Sequence, residues 1–144
     1  MSMDRVFEPV LAVYGWWDRP RAGVAQFRGT PHVYRSLWDE EADDWSEIYT
    51  LSPVDENTLS LILEDYEIWR RWRLAFDAGK VDLKSGPALP EDQRRSAELK
   101  QVVPSFLQRA AAPITRARAE FRRRTDADPT KDPYNMEVHW EIMS

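Results

Sequence analysis

Apolar and polar residues alternate along the N-terminal part of the chain, a pattern typical of β-strands. A stretch rich in Val, Leu, Tyr and Trp over residues 6–17 predicts a first strand, which ends at an Asp-Arg-Pro-Arg turn. Alternation over residues 23–28 and again over residues 32–38, with a Gly and a Pro between them, predicts a hairpin. A fourth extended segment covers residues 45–51. Because the connections are too short for helical crossovers, we expect these four strands to form an antiparallel meander.

A longer periodicity follows and predicts a helix over about residues 55–78. Its apolar residues are spaced by three and four positions, which places them on one face of the helix. They are Leu59, Ile62, Tyr66, Trp69, Trp72 and Phe76. Ser52 or Asp55 is suited to accept hydrogen bonds from the first free amides. A Pro-Glu-Asp sequence opens a second predicted helix over about residues 90–112. Pro104 lies inside this helix, which is therefore either kinked or divided into two short pieces.

The C-terminal part of the chain contains two further alternating segments. Residues 114–122 have the Ala and Arg content of a helix, but their strict alternation favours a strand. Residues 136–142 alternate in the same way, with one wet face. We expect a C-terminal hairpin over about residues 114–142, connected by a loop over residues 123–133. The fold predicted for the single domain 1–144 is α+β: an antiparallel sheet of about four N-terminal strands plus this hairpin, packed against two helices.

Composition narrows the class of protein. The chain of 144 residues contains no cysteine, which excludes disulfides, thiolate metal sites and a cysteine nucleophile. No run of about 18 apolar residues occurs, and the first residues do not resemble a signal peptide, so we expect no membrane association and a cytoplasmic location. The net charge of −5 is unevenly distributed. Residues 1–66 carry 13 acidic and 5 basic side chains, whereas residues 67–144 carry 12 and 15, and we expect this asymmetry to help the two halves dock.

Catalytic signatures are missing from the sequence. It contains no phosphate-binding glycine loop, no nucleophile elbow, no HExxH sequence and no calcium- or zinc-binding spacing, so we expect neither a cofactor nor a metal. The candidates for catalysis are the two histidines, His32 and His139, together with Glu141. If strand pairing brought both histidines to one carboxylate, they would form the minimum of an iron or zinc site. Hydrogen-bonded or exposed histidines are the simpler interpretation.

An acidic segment separates the third and fourth predicted strands. It contains five carboxylates in six residues and is bordered by a tryptophan on each side. We interpret it as a solvated loop that could also serve as a partner surface, where the tryptophans anchor a basic protein and the carboxylates steer its approach. The residues of this predicted surface are Trp38, Asp39, Glu40, Glu41, Asp43, Asp44 and Trp45.

Two adjacent tryptophans end the first predicted strand. Neighbouring side chains of a strand point to opposite faces, so Trp16 and Trp17 cannot both face one core. Together with Arg19 and Arg21 they form a candidate platform for a small ligand or a partner. Arginines also accompany tryptophans in the long predicted helix, but the acidic total charge argues against nucleic acid as a partner.

Two functional hypotheses follow from these features. The first is a small, non-catalytic intracellular interaction module of adaptor or inhibitor type, which binds a protein with a basic surface or a second copy of itself. The alternative is a small ligand-binding domain or enzyme that uses His32, a carboxylate and an arginine in a pocket between the sheet and the helices. A deep pocket containing His32 would favour the alternative. Exposure of Trp38 or Trp45 beside the acidic loop would favour the first hypothesis.

Overall fold

The computed structural model describes residues 5–108, 111, 113–125 and 134–143. Residues 126–133 of the predicted connecting loop and residues 109, 110 and 112 at the end of the second predicted helix lie outside this part of the chain. Six strands are present: β1 Glu8–Trp17, β2 Arg19–Phe27, β3 Thr30–Asp39, β4 Asp44–Pro53, β5 Thr115–Arg123 and β6 Met136–Ile142. They form a closed antiparallel barrel in which each strand pairs with the next one along the chain and β6 returns to β1.

Closure of the barrel overturns the predicted fold. β6 joins β1 through the pairs Glu8–Val138 and Pro9–Glu137. The expectation of an open sheet, made of four N-terminal strands and a C-terminal hairpin and packed against two helices, is therefore wrong. Alternation reveals which face of a strand is buried, but it does not reveal whether the two outer strands of a sheet meet. No turn marks the pairing of β1 with β6, because the two strands lie at opposite ends of the described chain.

Aromatic side chains fill the interior of the barrel. Tyr34 and Tyr49 are fully buried there and pack against Phe121 and Trp140. Both hydroxyl groups are satisfied by main-chain carbonyls: Tyr34 Oη donates to Ala12 O over 3.3 Å, and Tyr49 Oη donates to Pro20 O over 2.6 Å. Because a buried hydroxyl without a partner is costly, these bonds hold the two rings in one orientation.

A helical segment between β4 and β5 covers the outer face of β1, β2 and β3. It contains α1 Glu56–Asp77, α2 Gln93–Leu99 and α3 Val103–Gln108. Side chains that point outwards from the three strands pack under these helices; the buried members of this cluster include Ala12, Val24, Val33, Ile62, Leu99 and Val103. The central parts of β1, β2 and β3 are thus covered on both faces, which explains the apolar residues found there.

The second predicted helix is divided rather than kinked. A 3₁₀ turn at Pro90–Asp92 leads into α2, and α3 begins four residues after α2 ends. Pro104 is the second residue of α3. A proline in the first turn removes no intrahelical hydrogen bond, whereas inside one continuous helix it would remove a bond and clash with the preceding turn.

The long helix α1 begins at a defined cap and packs against its own following loop. The side chain of Asp55 accepts a hydrogen bond of 2.7 Å from the amide of Thr58. Near the other end, Trp72 is buried and donates from Nε1 to Ser85 Oγ over 2.9 Å. Gly86 lies directly on this indole ring, since a Cβ atom at that position would be 2.4 Å from Trp72 Cζ2. Within the described residues, no helix has the length and apolar character needed to span a membrane.

Candidate binding surface

Four tryptophans meet at one end of the barrel. In an antiparallel meander alternate turns lie at the same end, so the turn between β1 and β2 is beside the turn between β3 and β4. The first turn carries Trp16 and Trp17, and the second is bordered by Trp38 and Trp45. We call these four residues the tryptophan surface. The structure therefore joins two patches that the sequence presents as separate candidates.

Three of the four tryptophans of this surface are open to solvent. Trp16, Trp17 and Trp38 are 47%, 65% and 49% exposed. Trp38 and Trp45 contact each other edge to face, with ring centroids 5.2 Å apart. A pocket of about 250 Å³ lies between Trp16, Trp17 and Trp45. Contiguous exposed aromatic area of this kind is typical of interaction sites in otherwise polar protein surfaces.

Arg21 forms the buried base of this pocket. It is 6% exposed, and its guanidinium donates to Trp17 O, Ser36 Oγ, Ser46 O and Asp18 Oδ1 over 2.8 to 3.2 Å. The guanidinium carbon also lies 5.9 Å from the ring centroid of Trp45. These bonds tie the β1–β2 turn to β3 and β4. Arg21 therefore holds the turn that carries Trp16 and Trp17 through internal contacts, and its role in a ligand platform stays a prediction.

Arg19, the other arginine of the predicted platform, faces a different side of the barrel. Its guanidinium lies 3.8 Å from Asp18 Oδ1. It lines a polar pocket of about 250 Å³ together with Glu47, Arg118, His139 and Glu141. This pocket contains carboxylates and cations in similar number, so it offers no surface of one charge.

The acidic loop, which runs from the last residue of β3 to the first residue of β4, is exposed at all five carboxylates: Asp39, Glu40, Glu41, Asp43 and Asp44. Asp39 Oδ1 accepts the amides of Glu41 and Ala42, and Asp44 Oδ1 accepts the amide of Trp45 over 2.7 Å. These local bonds shape the turn without neutralising it. No Lys or Arg of the described chain forms an ion pair with any of the five residues. Within the part of the chain that the structure describes, the tryptophan surface is therefore bordered by negative charge that no ion pair compensates.

The two histidines do not meet. His32 lies in β3 on the same face as Tyr34, which points into the barrel, and its ring contacts Phe27 edge to face. His139 lies in β6 on the face opposite Val138 and Trp140, and its Nδ1 is 2.9 Å from Val6 O. β3 and β6 are not neighbours in the barrel. Among the described residues, no group of three His, Asp or Glu side chains is arranged to hold a metal ion.

A polar cluster that we did not predict lies between the barrel and the helices. Asp65 of α1 is 1% exposed and accepts hydrogen bonds from Tyr14 Oη over 2.8 Å and from Lys100 Nζ over 2.9 and 3.0 Å. Burial, and then the neighbouring charge of Asp65, raise the pKa of Tyr14 far above its ordinary value. Tyr14 therefore remains a neutral donor, and the three side chains together join β1, α1 and the end of α2.

A ladder of stacked rings connects this cluster with the tryptophan surface. Tyr134 lies between Trp16 and Trp69, with centroid distances of 5.2 and 5.6 Å and interplanar angles of 20° and 12°. Trp69 in turn stacks on Tyr66 over 5.6 Å, and Tyr66 contacts the ring of Tyr14 over 6.0 Å. One side of Trp16 is thus covered by the protein itself, which fixes the orientation of this indole.

Comparisons with known proteins give no family to this chain. No protein-family model matches it, and neither the curated proteins nor the solved structures contain a significant match. Its function is therefore inferred from its own residues.

Proposed function

We propose that this protein is a non-catalytic interaction module that binds a basic segment of a partner protein at the tryptophan surface. One observation carries the proposal: three tryptophans that are 47% to 65% exposed lie beside five carboxylates without an ion pair in the described chain. Aromatic anchors supply most of the binding energy of many interfaces, and flanking charge selects the partner. The absence of cysteine from the sequence fits the cytoplasm, where we expect the module to act.

Rigidity of the surface supports an anchoring role for the tryptophans. Arg21 holds the β1–β2 turn against Ser36 of β3 and Ser46 of β4 through hydrogen bonds of 3.1 Å. Tyr134 stacks on Trp16 from one side. Side chains that are already ordered lose less conformational freedom on binding, so more of their contact energy contributes to affinity.

Charge complementarity specifies the partner. The acidic loop concentrates five negative charges at the β3–β4 turn, next to Trp38 and Trp45, and such a field attracts Lys and Arg residues of an approaching segment. Because the carboxylates are exposed, their attraction is screened by salt. We therefore expect association to slow as ionic strength rises, while the contacts of the tryptophans are less affected.

The alternative hypothesis of an enzyme built around His32 has less support. His32 contacts Phe27 and the carbonyl of Thr30. The pocket between the barrel and the helices is lined by Tyr14, Asp65 and Lys100 instead. These three side chains are bonded to one another, which suits a structural role.

Selection from a peptide library tests the proposal. The untagged protein is used to select 12-residue random peptides that are displayed with a free carboxyl terminus. We expect the selected peptides to be enriched in Lys or Arg next to aromatic or large apolar residues. Trp17→Ala should weaken their binding at least about 10-fold, as expected of an anchor residue. Neutralising the loop to Asn and Gln at all five positions should mainly lower the association rate.

Leu83→Ala provides the matched control, because Leu83 is an apolar residue that is 72% exposed and lies outside the tryptophan surface. Binding that Leu83→Ala weakens as much as Trp17→Ala would contradict the proposal. So would a selection that yields no peptide, or peptides without basic residues. Analytical ultracentrifugation tests whether the surface instead binds a second copy of the chain. A dimer that dissociates in the Trp17→Ala variant would show that it does.

A further inference from the structure

The pocket of the tryptophan surface continues into a groove that reaches the helices. A second pocket, of about 320 Å³, adjoins the first and shares Gly15, Ala22 and Arg35 with it. Gly15 and Ala22 face each other across β1 and β2 as a register pair. Their small side chains leave a recess in the outer face of the barrel, and the far wall of the recess includes Val103 and Leu107 of α3.

Three cationic side chains line the two pockets, and they differ in how they are compensated. Arg21 is paired with Asp18 over 2.8 Å, and Lys100 is paired with Asp65 over 2.9 Å. Arg35 is exposed and, within the described residues, donates to one main-chain oxygen, Gln108 O, over 3.2 Å. It forms no ion pair with any residue in the described part of the chain. Among the described residues that line the groove, Arg35 is therefore the cation that is available to a carboxylate of a partner.

We propose that Arg35 binds a carboxylate of the partner segment. This inference rests on the proposed function and specifies the direction in which the segment binds. Its basic residues lie against the acidic loop, and its carboxylate lies further along the groove at Arg35. A guanidinium can donate two parallel hydrogen bonds to a carboxylate, a geometry that an ammonium group cannot reproduce. Val103 and Leu107 of α3 form an apolar wall on one side of this contact.

Either of two groups of the segment can supply the carboxylate: its C-terminus, or the side chain of an Asp or Glu residue. The peptide selected with highest affinity is therefore synthesised in four forms: unchanged, amidated at its C-terminus, with Asp and Glu replaced by Asn and Gln, and with both changes. Affinity for the wild-type protein and for Arg35→Gln is measured by isothermal titration calorimetry. Arg28→Gln is the matched control, because Arg28 is an exposed arginine at the β2–β3 turn, at the opposite end of the barrel.

We expect Arg35→Gln to weaken binding of the unchanged peptide by about 10- to 100-fold, the range of a charge-assisted hydrogen bond. Arg28→Gln should leave the affinity unchanged. The form that lacks the critical carboxylate should bind the wild type and Arg35→Gln equally, and this form identifies the source.

Two failures can be told apart. If Trp17→Ala abolishes binding but Arg35→Gln does not weaken it, the role of Arg35 is wrong and the proposed function stands. If Arg35→Gln weakens all four peptide forms equally, Arg35 does not recognise a carboxylate, which also contradicts the inference. A selection that yields no peptide overturns both proposals together.

Discussion

The ammonium group of Lys100 donates two hydrogen bonds, of 2.9 and 3.0 Å, to the carboxylate of Asp65. Asp65 is 1% exposed, whereas the side chain of Lys100 is 45% exposed. The pair connects the residue that follows α2 with the middle of α1, and Tyr14 adds a link to β1. A buried carboxylate depends on such partners, because its removal from water is costly.

Removal of Lys100 should therefore destabilise the protein through the charge that it leaves behind. We expect Lys100→Ala to lower the free energy of unfolding by about 3 kcal/mol, since among the described residues Asp65 would keep only its bond from Tyr14. The double variant Lys100→Ala/Asp65→Asn should recover part of this loss, because no uncompensated charge remains. Urea titrations of Lys100→Ala, of Asp65→Asn and of the double variant measure the coupling. Strictly additive effects would show that the two residues do not stabilise each other.

A close contact between β1 and β2 requires glycine at position 23. A Cβ atom there would lie 2.1 Å from Ala12 O and 2.7 Å from Tyr34 Oη. Gly23→Ala should therefore cost about 3 kcal/mol, because the two strands and the buried tyrosine must separate. Gly29→Ala is the comparison: a Cβ atom at Gly29 meets nothing within 4 Å, and only its φ of 77° opposes a side chain. We expect about 1 kcal/mol for Gly29→Ala, and equal losses in urea would contradict the contact.

Burial distinguishes Trp72 from the tryptophans of the binding surface. Trp72 is 6% exposed and packs against Phe76 and Gly86. Trp72→Ala should lower the free energy of unfolding by about 3–5 kcal/mol. Trp17, which is 65% exposed, should tolerate replacement by Ala within about 0.5 kcal/mol. Guanidinium titrations of the two variants test this order, and a large loss for Trp17→Ala would mean that this residue serves the fold.

The carboxylate of Asp55, which caps α1, makes the stability of the fold depend on pH. The amide of Thr58, and then its hydroxyl, hold the pKa of Asp55 below its ordinary value. A carboxyl whose pKa is lower in the folded state stabilises the fold above its unfolded pKa of about 4, and this contribution is lost as the pH falls through the folded value. Asn can cap a helix but does not titrate. The stability of the wild type relative to Asp55→Asn should therefore decrease between pH 7 and pH 3.

Urea titrations across this pH range provide the measurement. A difference between the wild type and Asp55→Asn that does not change with pH would show that the charge of Asp55 adds nothing to the cap.

The positions of the strands and of the long helix were predictable from the local sequence pattern. The way in which these elements assemble was not. The alternation of residues 32–38 and the spacing from Leu59 to Phe76 report on faces of single elements. The pairs Glu8–Val138 and Pro9–Glu137 depend on strand tilt and on the closure of the barrel, which have no local signature. For this reason the fold was predicted as an open sheet.

The candidate surface was predictable in its parts. Trp16 with Trp17, and Trp38 with Trp45, were recognised as two patches, but their meeting at one end of the barrel required the topology. Asp65 did leave a signal, since it lies three residues after Ile62 and four before Trp69, at the spacing of the buried face. Its partner Lys100 is distant in sequence and could not be inferred from this spacing.

The seam between β1 and β6 also determines when the molecule can become complete. The barrel closes only when β6 pairs with β1, at residues 8 and 138. During synthesis on a ribosome, the edge of β1 that pairs with β6 therefore stays unpaired until β6 has emerged. Native contacts between such distant positions are slow to form, so the nascent chain passes through a period in which this edge is open to other strands.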